Sequence, residues 1–144
     1  MSTQHSAQTL TKPANLFGRL VWIGALMALA AVIFNTLVAV GAHVLFSVAS
    51  TFQPLQPEDF LPATVLGVVG AVIVFALLAR RTSQPTRIFQ RIVMVVLPVS
   101  LLPDLSLLFL RLYPGTTFPA VGTLMLMHIA TALICLGTLS QVGS

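Results

Sequence analysis

Asp104 is the only acidic residue inside an apolar stretch of this chain, and an ionisable group at bilayer depth costs roughly 2.5–3.5 kcal/mol on insertion scales. Such a group normally has a partner or a task. Two other polar side chains lie at depths that could meet it: Asn35 in an earlier apolar stretch and His128 in a later one. At 1.5 Å of rise per helical residue, Asp104 lies about 24 Å from the inner end of its stretch and Asn35 about 22 Å from the inner end of its own. His128 is about 16 Å from the outer end of its stretch and Asp104 about 12 Å, a difference that side chains can bridge. The spacing thus predicts a polar intramembrane cluster of Asn35, Asp104 and His128. A carboxylate beside an imidazole could hold and release a proton or bind a cation. The competing structural role is local satisfaction, through backbone bonds or a pair with Arg111.

Two prolines precede Asp104, in Pro98-Val99-Ser100-Leu101-Leu102-Pro103-Asp104. Pro98 and Pro103 cannot donate to the carbonyls of Met94 and Val99, so the segment predicts a kink. Alternatively Ser100 caps a second half-helix whose first turn holds Pro103 and Asp104, which would make Pro98, Ser100 and Pro103 a helix break.

These residues need elements to hold them at depth, and composition indicates which. Hydrophobic residues make up 57% of the 144, charged residues 7%, and mean hydropathy is +1.01, whereas soluble domains carry roughly 25% charged residues. Four apolar stretches, about 20–49, 61–79, 88–112 and 118–139, each reach the roughly 17–25 residues needed to span the hydrocarbon core. A lipid-exposed backbone must satisfy its own hydrogen bonds, and no alternating ten-residue strands suggest a barrel. The expectation is therefore all-α: a four-helix transmembrane bundle over 17–144, preceded by a flexible cytoplasmic tail, 1–16. The first stretch is too long for a cleavable signal's apolar region and reads as a retained span. It is also longer than the core is thick, so it should tilt, or emerge past His43.

Lys12, Arg19, Arg80, Arg81, Arg87 and Arg91 fall on one side of these spans and Arg111 alone on the other, which places both termini in the cytoplasm. Arg80, Arg81, Arg87 and Arg91 read as topology signals that could also meet anionic lipid headgroups. Trp22 is expected at the inner boundary, and Phe52, Phe60, Tyr113 and Phe118 at the outer one. Acids and prolines in Gln53–Asp59, and Thr117 followed by Pro119, read as helix starts.

Helices in lipid associate through small residues and polar contacts. Gly24, Ala28, Ala31, Asn35, Ala39 and Ala42 form such a seam on the first helix, and Gly67 with Ala71 and Gly70 with Val74 a weaker one on the second. On the fourth helix Thr117, Val121, Leu124, His128, Thr131, Cys135 and Thr138 form a more polar line that should point inward.

Several functions are disfavoured. The net charge of +4 suggests nucleic acid only superficially, because the basic residues flank apolar runs rather than forming a phosphate-binding surface. One cysteine, Cys135, excludes an intrachain disulfide and a multi-cysteine zinc site. His43 and His128 do not match in depth as haem ligands, and too few polar residues are present for a catalytic triad. No metal, cofactor or enzymatic activity is expected.

Ala63-Thr64-Val65-Leu66-Gly67 leading to Ala79-Arg80-Arg81, Ser100-Leu101-Leu102-Pro103, and Leu126-Met127-His128 resemble an uncharacterised family of small four-helix bacterial membrane proteins, a domain of unknown function, from Phe17 onward. The resemblance implies the bacterial cytoplasmic membrane and brings no activity. Small multidrug transporters are similar in size and layout, but they depend on a glutamate in the first helix, where this chain has Asn35. The leading expectation is a structural or interaction subunit of the membrane, binding itself or another membrane protein through the small-residue seams. The alternative is a small proton-coupled transporter or channel using Asp104 and His128.

Overall fold

The structure, a computed structural model, describes residues 14–142. Residues 1–13, which hold most of the expected tail, lie outside the described residues, as do 143 and 144. Four helices follow one another: α1 (Ala14–Leu45), α2 (Pro57–Arg81), α3 (Pro85–Leu110) and α4 (Phe118–Val142), with a single 3-10 turn at Gln53–Leu55. There is no strand among the described residues. Each helix is long and apolar enough to cross a membrane, as the composition required.

The helices start where their first turns can tolerate missing or unpaired N–H groups. Pro57 and Pro85 open α2 and α3, and Glu58 and Asp59 set negative charge against the N-terminal end of α2. Thr117 Oγ1 accepts from the Ala120 amide at 3.3 Å, capping α4. Helix α3 ends when Arg111 turns left-handed (φ 47°) and its amide bonds the Leu107 carbonyl, two residues before the expected limit.

Helix α1 differs more from expectation. It begins at Ala14, inside the segment assigned to the tail, and ends at Leu45 rather than continuing to 49. The chain then turns back through Ser47 (φ 50°) and inserts Val48, Phe52 and Leu55 among the helix ends, all buried. His43 Nδ1 lies 2.8 Å from the Val48 carbonyl and ties this return to the last turn of α1. Phe52 and Phe60, expected at the membrane boundary, are core residues instead. Phe52 packs edge-on against Tyr113 at 6.5 Å between ring centres. Trp22 and Phe118 do face outward.

The interior holds two apolar clusters, one at each end. At the end bearing the arginines, Leu20, Met27, Ala31, Val68, Phe75, Phe89, Cys135 and Leu139 meet. At the opposite end, near Glu58 and Asp59, the loop residues Val48, Phe52 and Leu55 join Ala39, Ala42, Phe60, Ala120, Leu124 and Met127. Between them the core turns polar, while the perimeter is aliphatic, with Leu29, Ile33, Leu66, Met94, Val99 and Leu133 all exposed. Because lipid solvates leucine as well as a core does, cohesion has to come from close packing and polar contacts.

Helix α1 packs closely on α2 and α4, and α3 on α4, whereas α2 and α3 approach each other less closely along their length. The expected α1 seam is the reason for the first two contacts. Ala31, Asn35, Ala39 and Ala42 are buried, and a methyl group added to Gly24 would sit 3.1 Å from Val72 Cγ2. Helices α2 and α3 meet near the turn that joins them, where Phe75 and Phe89 stack edge to face at 5.5 Å.

Candidate functional site: an intramembrane cleft

Where α2 and α3 fail to close, a cleft of about 760 Å³ opens, with α4 as its floor. Its lining begins at Gln53, Pro54, Asp59 and Tyr113 at the acidic end and continues to Val74, Phe89 and Cys135. From Asp59 to Val74 that is about 22 Å of helix. The buried Phe75–Phe89 pair closes the arginine end. Its lips, Leu66, Gly67 and Gly70 on α2 and Val96 and Pro103 on α3, are exposed, so the cleft opens on the apolar perimeter. Small side chains on α2 create the space: nothing lies within 4 Å of where a Cβ would stand on Gly67 or Gly70. Of the α2 small-residue pattern, Gly67 and Gly70 therefore do not pack, whereas Ala71 and Val74 lie against the apolar cluster at the arginine end.

Asp104 and His128 meet in this cleft. Asp104 Oδ2 lies 3.0 Å from His128 Nδ1; the aspartate side chain is 11% exposed and the histidine 43%, so the pair runs from the interior to the open space. The same Nδ1 is 3.0 Å from the Leu124 carbonyl, one turn back on α4. An N–H directed at that carbonyl leaves Oδ2 without a well-aligned hydrogen bond. Two bare acceptors at 3.0 Å repel, so one member of the pair carries a proton, on Nδ1 or on the carboxyl. The pair can therefore hold, share or surrender a proton at the wall of a cavity.

The third member of the expected cluster is elsewhere. Asn35 is 2% exposed and its Nδ2 donates to Thr64 Oγ1 at 2.9 Å and to Thr131 Oγ1 at 3.2 Å. It thus links α1 to α2 and α4 rather than bonding Asp104 or His128. Thr64 in turn donates to the Phe60 carbonyl at 2.7 Å. The hydrogen bonds of Asn35 satisfy a donor at depth and lock three helices together, while its Oδ1 stays buried without a partner. Thr64 and Thr131, but not Asn35, also line the cleft and add two hydroxyls to its wall and floor. Thr131 stands on the polar line read on the fourth helix. Thr64 carries its own signal, as the sole hydroxyl between Leu61 and Ala79.

The expected break at Pro98, Ser100 and Pro103 does not form: α3 is helical from Pro85 to Leu110 through both prolines. Ser100 cannot cap a half-helix at Pro103, which has no N–H to offer, and its Oγ donates instead to the Leu97 carbonyl at 2.7 Å. Ser100 and Pro103 remain relevant because both line the cleft beside Asp104. Arg111, the other expected partner of Asp104, is exposed at the C-cap and outside the lining. Arg80, Arg81, Arg87 and Arg91 flank the turn between α2 and α3, all exposed, and among the described residues none is in an ion pair.

Comparison with curated proteins and with solved structures returns no match. Residues 13–143 match the family described as "Family of unknown function (DUF6069)", which takes in every residue of the cleft, and four long apolar helices are consistent with a multi-pass membrane protein; the chain belongs to that family.

Proposed function

We propose that this protein is a small binding protein or carrier of the bacterial cytoplasmic membrane, with both termini in the cytoplasm. It takes a molecule from the lipid phase into the α2–α3 cleft and uses the Asp104–His128 pair to meet its polar group. The observation that carries this reading is a cavity of about 760 Å³, lined mainly by apolar side chains, with a carboxylate–imidazole pair at 3.0 Å in its wall. The surroundings support it. The lips open on the lipid-facing perimeter, and the closed end lies beside the arginines, which hold that end at the cytoplasmic surface and could touch anionic headgroups. The reading is non-enzymatic and calls for no metal or cofactor.

The test uses purified protein in nanodiscs with a panel of lipophilic environment-sensitive dyes. Gly67→Leu projects into the cleft from a position where an added Cβ has nothing within 4 Å, so it should fold normally and lose the saturable dye binding shown by wild type. Equal saturable binding by both proteins would reject the cleft as the site.

A second reading has an observation of its own. The unfilled Gly67 and Gly70 face of α2 could receive a helix of another membrane protein or of a second copy, which would make the chain an interaction subunit. The α1 seam cannot serve that purpose, being consumed inside the bundle. Under this reading Gly67→Leu would dissociate an oligomer or a co-purifying membrane protein, visible as a mass change in detergent, with dye binding absent throughout.

A further inference from the structure

The charge inventory of the cleft says what it should hold. Two carboxylates, Asp59 at the mouth and Asp104 deep in the wall, are among the lining residues, with His128 as the single basic group and no lysine or arginine. With both carboxylates ionised, a neutral His128 leaves the cleft two negative charges and a protonated His128 leaves one. In either state an anionic guest is opposed. Asp104 is 8% exposed, and apart from His128 Nδ1 at 3.0 Å, which forms no well-aligned hydrogen bond with it, its Oδ2 has no partner among the described residues. A buried carboxylate left in that condition at a cavity wall favours a positive charge supplied from the cavity. Three aromatic rings, Phe60, Phe89 and Tyr113, also line the space, and their faces attract cations. The rest of the lining is mostly apolar, broken by the neutral polar side chains of Gln53, Thr64, Ser100 and Thr131, and suits an apolar body.

From this complementarity, and resting on the cleft being a binding site, we infer that its ligand class is the lipophilic organic cation, with the charge held at Asp104 and the apolar body between α2 and α3. Asp59 at the mouth adds attraction during entry.

Tetraphenylphosphonium and tetraphenylborate have nearly the same shape and opposite charge, and they separate charge selection from cavity binding. Equilibrium binding of each is measured in nanodiscs, with Gly67→Leu as the background for partition into the disc lipid. The inference predicts that wild type binds the phosphonium at least about tenfold more tightly than the borate, and that Asp104→Asn removes most of that preference. Asp59→Asn should weaken phosphonium binding by a smaller factor, which keeps the test decisive if Asp104→Asn does not fold. Equal cleft-dependent binding of both ions, or a preference for the borate, overturns the inference and leaves the cleft as a binding site. So does a phosphonium preference unchanged in whichever of the two aspartate variants fold. Binding of neither ion above the Gly67→Leu background overturns both.

Discussion

Small residues stand at both the α1–α2 and the α2–α3 interfaces, on α1 in the first and on α2 in the second, and have opposite fates. Toward α1, Gly24 lies so close to Val72 that even a methyl group would press on it, and Ala31 beside it is fully buried. Toward α3, Gly67 and Gly70 meet nothing. The difference lies in what stands opposite. Helix α1 offers an unbroken line of alanines and Asn35, whose amide reaches both α2 and α4, so close packing and hydrogen bonding reinforce each other. Helix α3 offers Ser100, Pro103 and Asp104 toward the gap, and Asp104 turns to His128 on α4 rather than to α2. Small residues allow two helices to approach, but a polar link across the interface decides whether they do.

That contrast can be broken by overfilling. Ala31→Phe, at the closed interface, should destabilise the bundle most, by about 1–3 kcal/mol or more from forced side-chain and backbone shifts, read from unfolding in mixed micelles. Next should come Gly115→Ala. Gly115 has φ +79° and its added methyl would lie 3.0 Å from Ala49 Cβ, where the two loops of the acidic end touch; a loss of about 1–2 kcal/mol is expected in the same assay. Asn35→Ala should cost about 0.6–1.7 kcal/mol, between the average and the maximum measured for interhelical hydrogen bonds in a membrane, and Thr64→Val less. Smallest is Gly67→Leu, whose stability should stay within about 0.5 kcal/mol of wild type while saturable dye binding disappears. If Gly67→Leu were as damaging as Ala31→Phe, the α2–α3 gap would be closed in the membrane and the contrast would fail.

How much of this could be read from the residues follows from the same physics. Four apolar stretches of spanning length leave no alternative to helices, so the fold class was legible. Depth along a helix was legible too, and it brought Asp104 and His128 together. Depth says nothing about direction around the axis. Asn35 is therefore grouped by depth with a pair it does not bond, although its real partners are two hydroxyls, Thr64 and Thr131. Apolar length also does not distinguish a continuing span from a chain that turns back to plug its own helix end, which is why the reading runs the first span through Val48 and sets Phe52 at the membrane boundary, whereas both are buried in the core. The cleft itself leaves no local signature, because a glycine that faces a neighbour and a glycine that faces a void have the same sequence context.

The most direct test of the account is the infrared difference spectrum of the protein in nanodiscs on adding a bound lipophilic dye, with Asp104→Asn used to assign the Asp104 carboxyl band. A ligand seated in the α2–α3 cleft must alter the surroundings of Asp104, so the account predicts that this band shifts with the same saturation as dye binding. A saturable dye signal with the Asp104 band unmoved would place the ligand elsewhere and contradict it.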